Sequence, residues 1–295
     1  MTIIAGFSSS RQGVAPLNLA TQLARTSGEK IIAAVVVERP LPVGVDPIED
    51  EYRGYVAAQA TASLERVVAQ ISGDFDISVV THHATSVPNG LMELVAEHSA
   101  DLVVVGSSSS GLLGRIALGT VTERLVYTSK VPVAIAPRGY PSSPAPVRRL
   151  TAAYRDGADA AELIATSAEL AKQWRARLRI ASFTVRPFTM FGGSIERSAE
   201  ELVVQQWARR TTDAVIKQLD DVRTTVAVPD VDVVIGTGTE WREAVDDIAW
   251  ESGDVLVLGS GAAGPLAQVF LGTAASKILR HAPVPVMIVP RHTSP

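Results

Sequence analysis

Apolar residues in this chain fall in short unbroken runs and do not alternate with polar ones. Thr2–Phe7, Lys30–Val37, Ile77–Thr81, Leu102–Val105 and Val131–Ala136 are each rich in Val, Ile or Ala. Runs of this kind suit strands buried on both faces, not the half-exposed strands of an antiparallel sheet. Between them lie stretches with helical character, about Ala15–Thr26, Asp50–Ile71, Asn89–His98 and Gly119–Ser129. Strand followed by helix, repeated, predicts parallel strands joined by helical crossovers. The fold class is α/β, an open doubly wound sheet of five strands with helices on both sides.

The pattern then starts again. Ala100–Arg138 lies over Gly253–Arg291 without a gap at an offset of 153 residues, and fifteen of the thirty-nine positions are identical. Asp101 meets Asp254, Gly106 meets Gly259, Gly119-Thr120 meets Gly272-Thr273, and Val131-Pro132-Val133 meets Val284-Pro285-Val286. Shared strand composition does not keep glycines, threonines and prolines in step over such a length, so the chain is an internal duplication. Strands near Leu150–Tyr154, Leu178–Thr184, Val231–Ile235, Val255–Leu258 and Val284–Val289 complete the second copy. The Pro- and Ser-rich stretch between copies reads as a linker. The expected domains are 1–138 and 148–295, with 139–147 between them.

Within the second copy, DVLVLGSGAAG carries the glycine spacing of a dinucleotide-binding turn. That turn belongs after the first strand, with an acidic residue about twenty positions on for the ribose. Here it follows the fourth strand, and LRHAPVPV stands where the acid should be. The matching turn in the first copy reads GSSSSG, so the glycine pattern is not what the two copies preserve. They preserve Gly-Ser after strand four and Gly-Thr thirteen positions beyond the first glycine. Gly106 and Gly259 are expected to turn the chain sharply off the strand. Ser107–Ser110 and Ser260–Ala263 are small and leave amides accessible, and Gly119-Thr120 and Gly272-Thr273 open a helix whose first N–H groups suit an anion. With strand order 3-2-1-4-5 these loops flank the crevice where the winding reverses. Helix–sheet packing and N-capping are the alternative account of the same residues.

The run GS…LGT-helix-PVxIxPR, present twice, and SVPNGLMELVAEHSADLVVVGS before the first of them resemble the tandem universal stress proteins. The resemblance covers nearly the whole chain and implies that the final strands of the two copies pair, making one chain its own pseudo-dimer. ATP-binding members of that family carry G-x-x-G, nine residues, then G-S or G-T. Gly106, Gly119 and Thr120 match in the first copy and Gly259, Gly272 and Thr273 in the second. Ser109 and Ala262 stand where the second glycine should be, implying strain of about 1–3 kcal/mol if positive φ is required there. An Asp usually ends the family's first strand near the adenosine. Ser8 takes that place here, followed by Ser9 and Ser10, and in the second copy it falls on Arg155, or on Asp156 with a register slip. Ser107, Ser260 and, at the end of strand two, Val37 complete the expected nucleotide site. Arg115 is a candidate phosphate partner in the first copy, where the second has Gln268, with Phe270 in place of Ala117. The implied ligand is ATP, with Mg2+ accompanying it, held weakly by the first copy, the second being largely structural.

Composition narrows the alternatives. At 295 residues with 46% hydrophobic and 20% charged content, the chain has material for two cores. No cysteine excludes disulfides and thiolate chemistry. The five histidines form no HExxH pattern, and adjacent His82 and His83 point to opposite faces of a strand. A net charge of −4 argues against a broad nucleic-acid surface. The longest apolar run, Ile31–Val37, cannot span a bilayer, and the start lacks a secretory pattern, so a cytoplasmic protein is expected. GSSSSG lacks the G-x-S-x-G elbow of a hydrolase, and no histidine recurs between copies, so an enzyme is not expected; slow ATP hydrolysis is the enzymatic alternative. Trp174, Trp207, Trp241 and Trp250, all in the second copy, are read as packing residues. Expected partners are an adenine nucleotide, the other half of the same chain, and a second copy or another protein. A nucleotide-responsive sensor is weighed against a scaffold with relic sites.

Overall fold

A computed structural model describes residues 2–8, 13–39, 47–71, 73, 75–157, 159–185, 194–228, 230–263 and 268–290. In the first half β1 (Thr2–Gly6), β2 (Lys30–Glu38), β3 (Ile77–Ala84), β4 (Leu102–Gly106) and β5 (Val133–Ala136) run parallel in the order 3-2-1-4-5. In the second, β6 (Arg149–Tyr154), β7 (Arg177–Val185), β8 (Val231–Gly238), β9 (Asp254–Gly259) and β12 (Val286–Val289) repeat that order. β5 and β12 pair antiparallel, Val133 opposite Ile288 and Ile135 opposite Val286. The halves therefore share one ten-stranded sheet, and the pairing implied by the resemblance is its central seam. The last strands begin two residues later than the apolar runs do, because Pro132 and Pro285 have no amide to give the ladder; their carbonyls accept from Val103 and Leu256 instead.

Alternate residues of each strand feed two cores, one on each face. Ile3 and Ala5 join Leu17, Leu23, Leu64 and Trp174 from α1 (Val14–Ser27), α2 (Pro47–Val68) and α5 (Ala160–Trp174). Ile4 and Val103 join Leu91, Leu125, Val245 and Leu279 from α3 (Val87–Glu97), α4 (Thr120–Thr128), α7 (Trp241–Asp246) and α8 (Thr273–His281) on the other face. Each fully buried Leu or Ile contributes about 1.5–3 kcal/mol. α6 (Ser194–Arg223) closes a third cluster through Val215, Leu219 and Val222 against Tyr154 and Ile164. Of the four tryptophans, Trp174 is buried, Trp241 and Trp250 pack against the second core, and Trp207 of α6 is half-buried.

The segment read as a linker is fastened along α1. Asn18 donates to the Tyr140 carbonyl (2.9 Å), Gln22 to Ala145 (3.2 Å) and Arg25 to Ser143 (2.7 Å), and the Val147 amide donates to Thr26 Oγ1 (2.8 Å). The Tyr140 hydroxyl bonds Gln22, and burial pushes its pKa up to about 12. It is a strap holding β5 to β6, not a free spacer.

The aspartates that recur before strand four do different work. Asp101 accepts from the Thr2 amide (3.0 Å), tying β4 to β1. Asp254 is buried and takes Arg149 in a two-pronged bond (2.9 and 2.6 Å), while capping the Glu251 amide (2.9 Å). Arg179, also buried, lies 3.5 Å from the same carboxylate and stacks on Trp250. Burial first, then the Arg149 charge, lowers the Arg179 pKa.

Candidate nucleotide site

At the carboxyl ends of β1, β2 and β4, where the winding reverses, the first half opens a cavity of about 730 Å³. Ser8, Val37, Gly106, Ser107, Ser109, Gly119 and Thr120 all line it. The β1–α1 turn that forms one lip is held by contact: a Cβ on Gly13 would lie 1.7 Å from the Ser8 carbonyl oxygen, so only glycine lets the chain fold back there. Ser9 and Ser10 lie outside the described residues.

The loop from β4 to α4 is a narrow clasp. The Ser108 amide donates to the Ala117 carbonyl (2.8 Å), and Ser107 Oγ accepts from the Ala117 amide (2.8 Å) while donating to its carbonyl (3.2 Å). Thr122 Oγ1 donates to the Gly106 carbonyl (3.1 Å), drawing the start of α4 onto the end of β4. Glu123 donates the first intrahelical bond, to Gly119, which leaves the Thr120, Val121 and Thr122 amides without a partner inside the helix. These three residues line the cavity together with Gly119, and their amides lie in the positive field of a helix start.

Three expectations change. Neither Gly106 nor Gly259 has positive φ. What Gly106 supplies is room, since a Cβ there would press to 3.2 Å from Pro16 of α1. Ser109 also has ordinary φ, so replacing the family's second glycine strains nothing in the first half. Arg115 does not reach for phosphate. Its guanidinium crosses the seam, donating to the His281 carbonyl and to both oxygens of Asp246 (3.1 and 3.3 Å), and it is not part of the cavity wall.

The corresponding cavity of the second half measures about 150 Å³. Gly259, Ser260 and Gly272 line it, whereas Thr273 opens α8 with its side chain exposed and is not part of the wall. Strand register decides between Arg155 and Asp156. Ile4 pairs with Val103 and Thr151 with Leu256, the residue matching Val103 in the repeat, so Arg155 occupies the place of Ser8. Both Arg155 and Asp156 line the cavity. The expected open stretch Ser260–Ala263 is instead a hairpin, β10 (Gly261–Ala263) against β11 (Gln268–Phe270), with Gly261 opposite Phe270 and Ala263 opposite Gln268. The side chains of Ala262, Gln268 and Phe270 lie outside the described residues. Ser260 Oγ is buried and has no hydrogen-bond partner among the described residues, unlike its counterpart Ser107.

The sequence reading missed Pro16, Thr122 and the α2 wall of Tyr52 and Val56, which also line the first cavity. Thr122 had a signal, since Ala275 replaces it in the second copy; α2 had none, because its apolar residues resemble any core-facing stripe.

The universal stress protein family model matches residues 1–137 and again 146–290. Universal stress protein Mb2346c of Mycobacterium bovis and universal stress protein Rv2319c of Mycobacterium tuberculosis are each 30% identical over 295 residues, covering 98% of this chain and all of theirs. Among solved structures, a universal stress protein from Archaeoglobus fulgidus aligns with a TM-score of 0.58 at 18% identity, over 98% of each chain. At these identities the structural likeness speaks to the fold.

Proposed function

This chain belongs to the universal stress protein family, and from that premise we propose that its first half binds an adenine nucleotide while its second half is structural. The observation that carries the reading is the first-half cavity. At about 730 Å³ it is the size of a small-molecule pocket, typically 300–1,000 Å³, and it ends on the three open amides of α4. A phosphate chain on those amides replaces water as their acceptor. The second cavity, at about 150 Å³, falls below that range and has a cationic side chain at its rim. Mg2+ would travel with the ATP phosphates, keeping several of its waters; among the described residues no group of three acidic or imidazole side chains is placed to hold a metal.

Isothermal titration with ATP tests this. Gly119→Val puts bulk at the start of α4 beside Ser108 and is expected to abolish ATP binding, while Gly272→Val leaves it unchanged. The reverse result would move the site to the second half. Phosphate release from ATP above the buffer rate, lost in Gly119→Val, would make the protein a slow hydrolase. The sheet seam and the α1 strap favour a scaffold as the second reading: a chain that neither retains nucleotide through purification nor gains thermal stability from millimolar ATP would be one. No described helix is long and apolar enough to cross a membrane.

A further inference from the structure

We infer that α2 supplies a base-stacking wall for the first-half site, with the Tyr52 ring lying against the purine of a bound nucleotide. The inference rests on the nucleotide reading above and adds to it a residue and a recognition element. Residues four apart on a helix share a face, and Tyr52, Val56, Ala60 and Leu64 form one such line on α2. At its lower end Leu64 is fully buried in the core. Higher up the line emerges over the cavity: Ala60 is half-buried, Val56 is 42% exposed and Tyr52 is 66% exposed. Ala60, Val56 and Tyr52 all line the cavity. A core-facing stripe thus continues about 18 Å along the helix axis, and its upper end is exposed over the cavity.

The geometry selects the ligand part that fits there. The open amides stand at the end of β4, and Val37 and the α2 stripe flank the end of β2. β1 separates these two strands, and α2 and α4 pack on opposite faces of the sheet, so the apolar wall and the amides stand on opposite sides of the one cavity. That arrangement suits a nucleotide with phosphates at one end and a flat apolar ring at the other. A base laid on an aromatic face contributes substantially to affinity with little demand on sequence or edge contacts. Tyr55 provides the contrast. It is 63% exposed on the same helix, yet it is off the stripe and takes no part in the cavity wall.

Titration of the full chain with ATP tests the assignment. Tyr52→Ala is expected to weaken ATP binding about ten-fold, while Tyr52→Phe, which keeps the ring, and Tyr55→Ala, which removes an equally exposed ring elsewhere, bind as wild type does. The ligand-free melting temperature of Tyr52→Ala should match wild type, because the ring is mostly in solvent. Equal ATP affinity in wild type and Tyr52→Ala overturns the stacking wall and leaves the nucleotide site standing. A loss in Tyr55→Ala as large as in Tyr52→Ala also overturns it. A wild-type chain that takes up no ATP overturns both.

Discussion

The loops after β4 and after β9 descend from one sequence and now close differently. Both leave the sheet through Gly-Ser and both end in Gly-Thr at a helix start. In the first half the two limbs are tied where Ser107 and Ser108 bond Ala117 and where Thr122 bonds Gly106, and they border a cavity of about 730 Å³. In the second half they continue as the β10–β11 hairpin, and the cavity shrinks to about 150 Å³. Backbone amides paired within a hairpin are not available to a ligand. The comparison teaches that the duplicated glycines preserve the frame of the crevice, while the residues between them decide whether the frame encloses usable space.

The opposite ends of the strands separate the halves more sharply, and here the largest effect is expected. Asp101→Ala removes one bond to a backbone amide, about 1 kcal/mol. Asp254→Ala strands two buried guanidinium groups, Arg149 and Arg179, and should cost about 3–5 kcal/mol. Urea denaturation resolves the two because all four tryptophans lie in the second half. Fluorescence reports that half, and far-ultraviolet circular dichroism reports both. Equal losses for the two variants would mean that the buried cluster is no more than a surface ion pair in effect.

The matched serines make a second and smaller contrast. Ser107→Ala breaks two of the bonds that close the first clasp and leaves the half-buried Ala117 amide without its acceptor, an expected loss of about 1 kcal/mol. Ser260→Ala removes a buried hydroxyl that bonds nothing among the described residues, so it should be neutral or slightly stabilising. Thermal melting of the two variants checks both signs, and a destabilised Ser260→Ala would show that this hydroxyl has an acceptor after all.

These contrasts also mark how much was legible in the sequence. The strands and the duplication were readable because each leaves a repeated local signal, unbroken Val/Ile runs and glycines and prolines in step, whereas the seam was implied by the family resemblance and the strand order was a premise until the ladders showed it. Gly119, which lines the first cavity, was readable from the repeated Gly-Thr, while Ser8 was placed there by the family resemblance. Arg115 was not readable. A lone arginine in a small-residue loop looks like a phosphate ligand, and only the folded seam brings Asp246, 131 residues away, within 3.1 Å. The Arg149–Asp254 pair, 105 residues apart, was hidden in the same way, and so was the strap, whose bonds run from side chains of α1 to linker carbonyls.

Arg115 therefore becomes a test of the seam. Asp246 is 39% exposed, so the ion pair is partly screened, and Arg115→Ala should cost about 1 kcal/mol, most of it through the His281 carbonyl. Because the same loop carries Ser107 and Ser109, the variant should also bind ATP more weakly than wild type although Arg115 is not in the cavity wall. Unchanged ATP affinity would separate the seam from the site.

The smallest effect expected is a dependence on pH through His281. Burial, and after it the Arg115 charge, lowers its pKa below the usual 6.5. The folded chain then takes up a proton at this position less readily than the unfolded chain. The stability it protects is present above about pH 6.5 and is lost as pH falls through the lowered folded value. The first half carries Thr128 at the matching position, so His281→Thr should flatten the fall in melting temperature between about pH 7.5 and pH 5. His83, lowered by burial and by Arg39, acts in the same direction from the first half and persists in that variant, so the slope shrinks without vanishing. Arg115→Ala removes the second cause of the shift and should reduce the slope as well. If His281→Thr flattens the profile and Arg115→Ala leaves it unchanged, the shift comes from burial alone and the seam contributes no charge coupling.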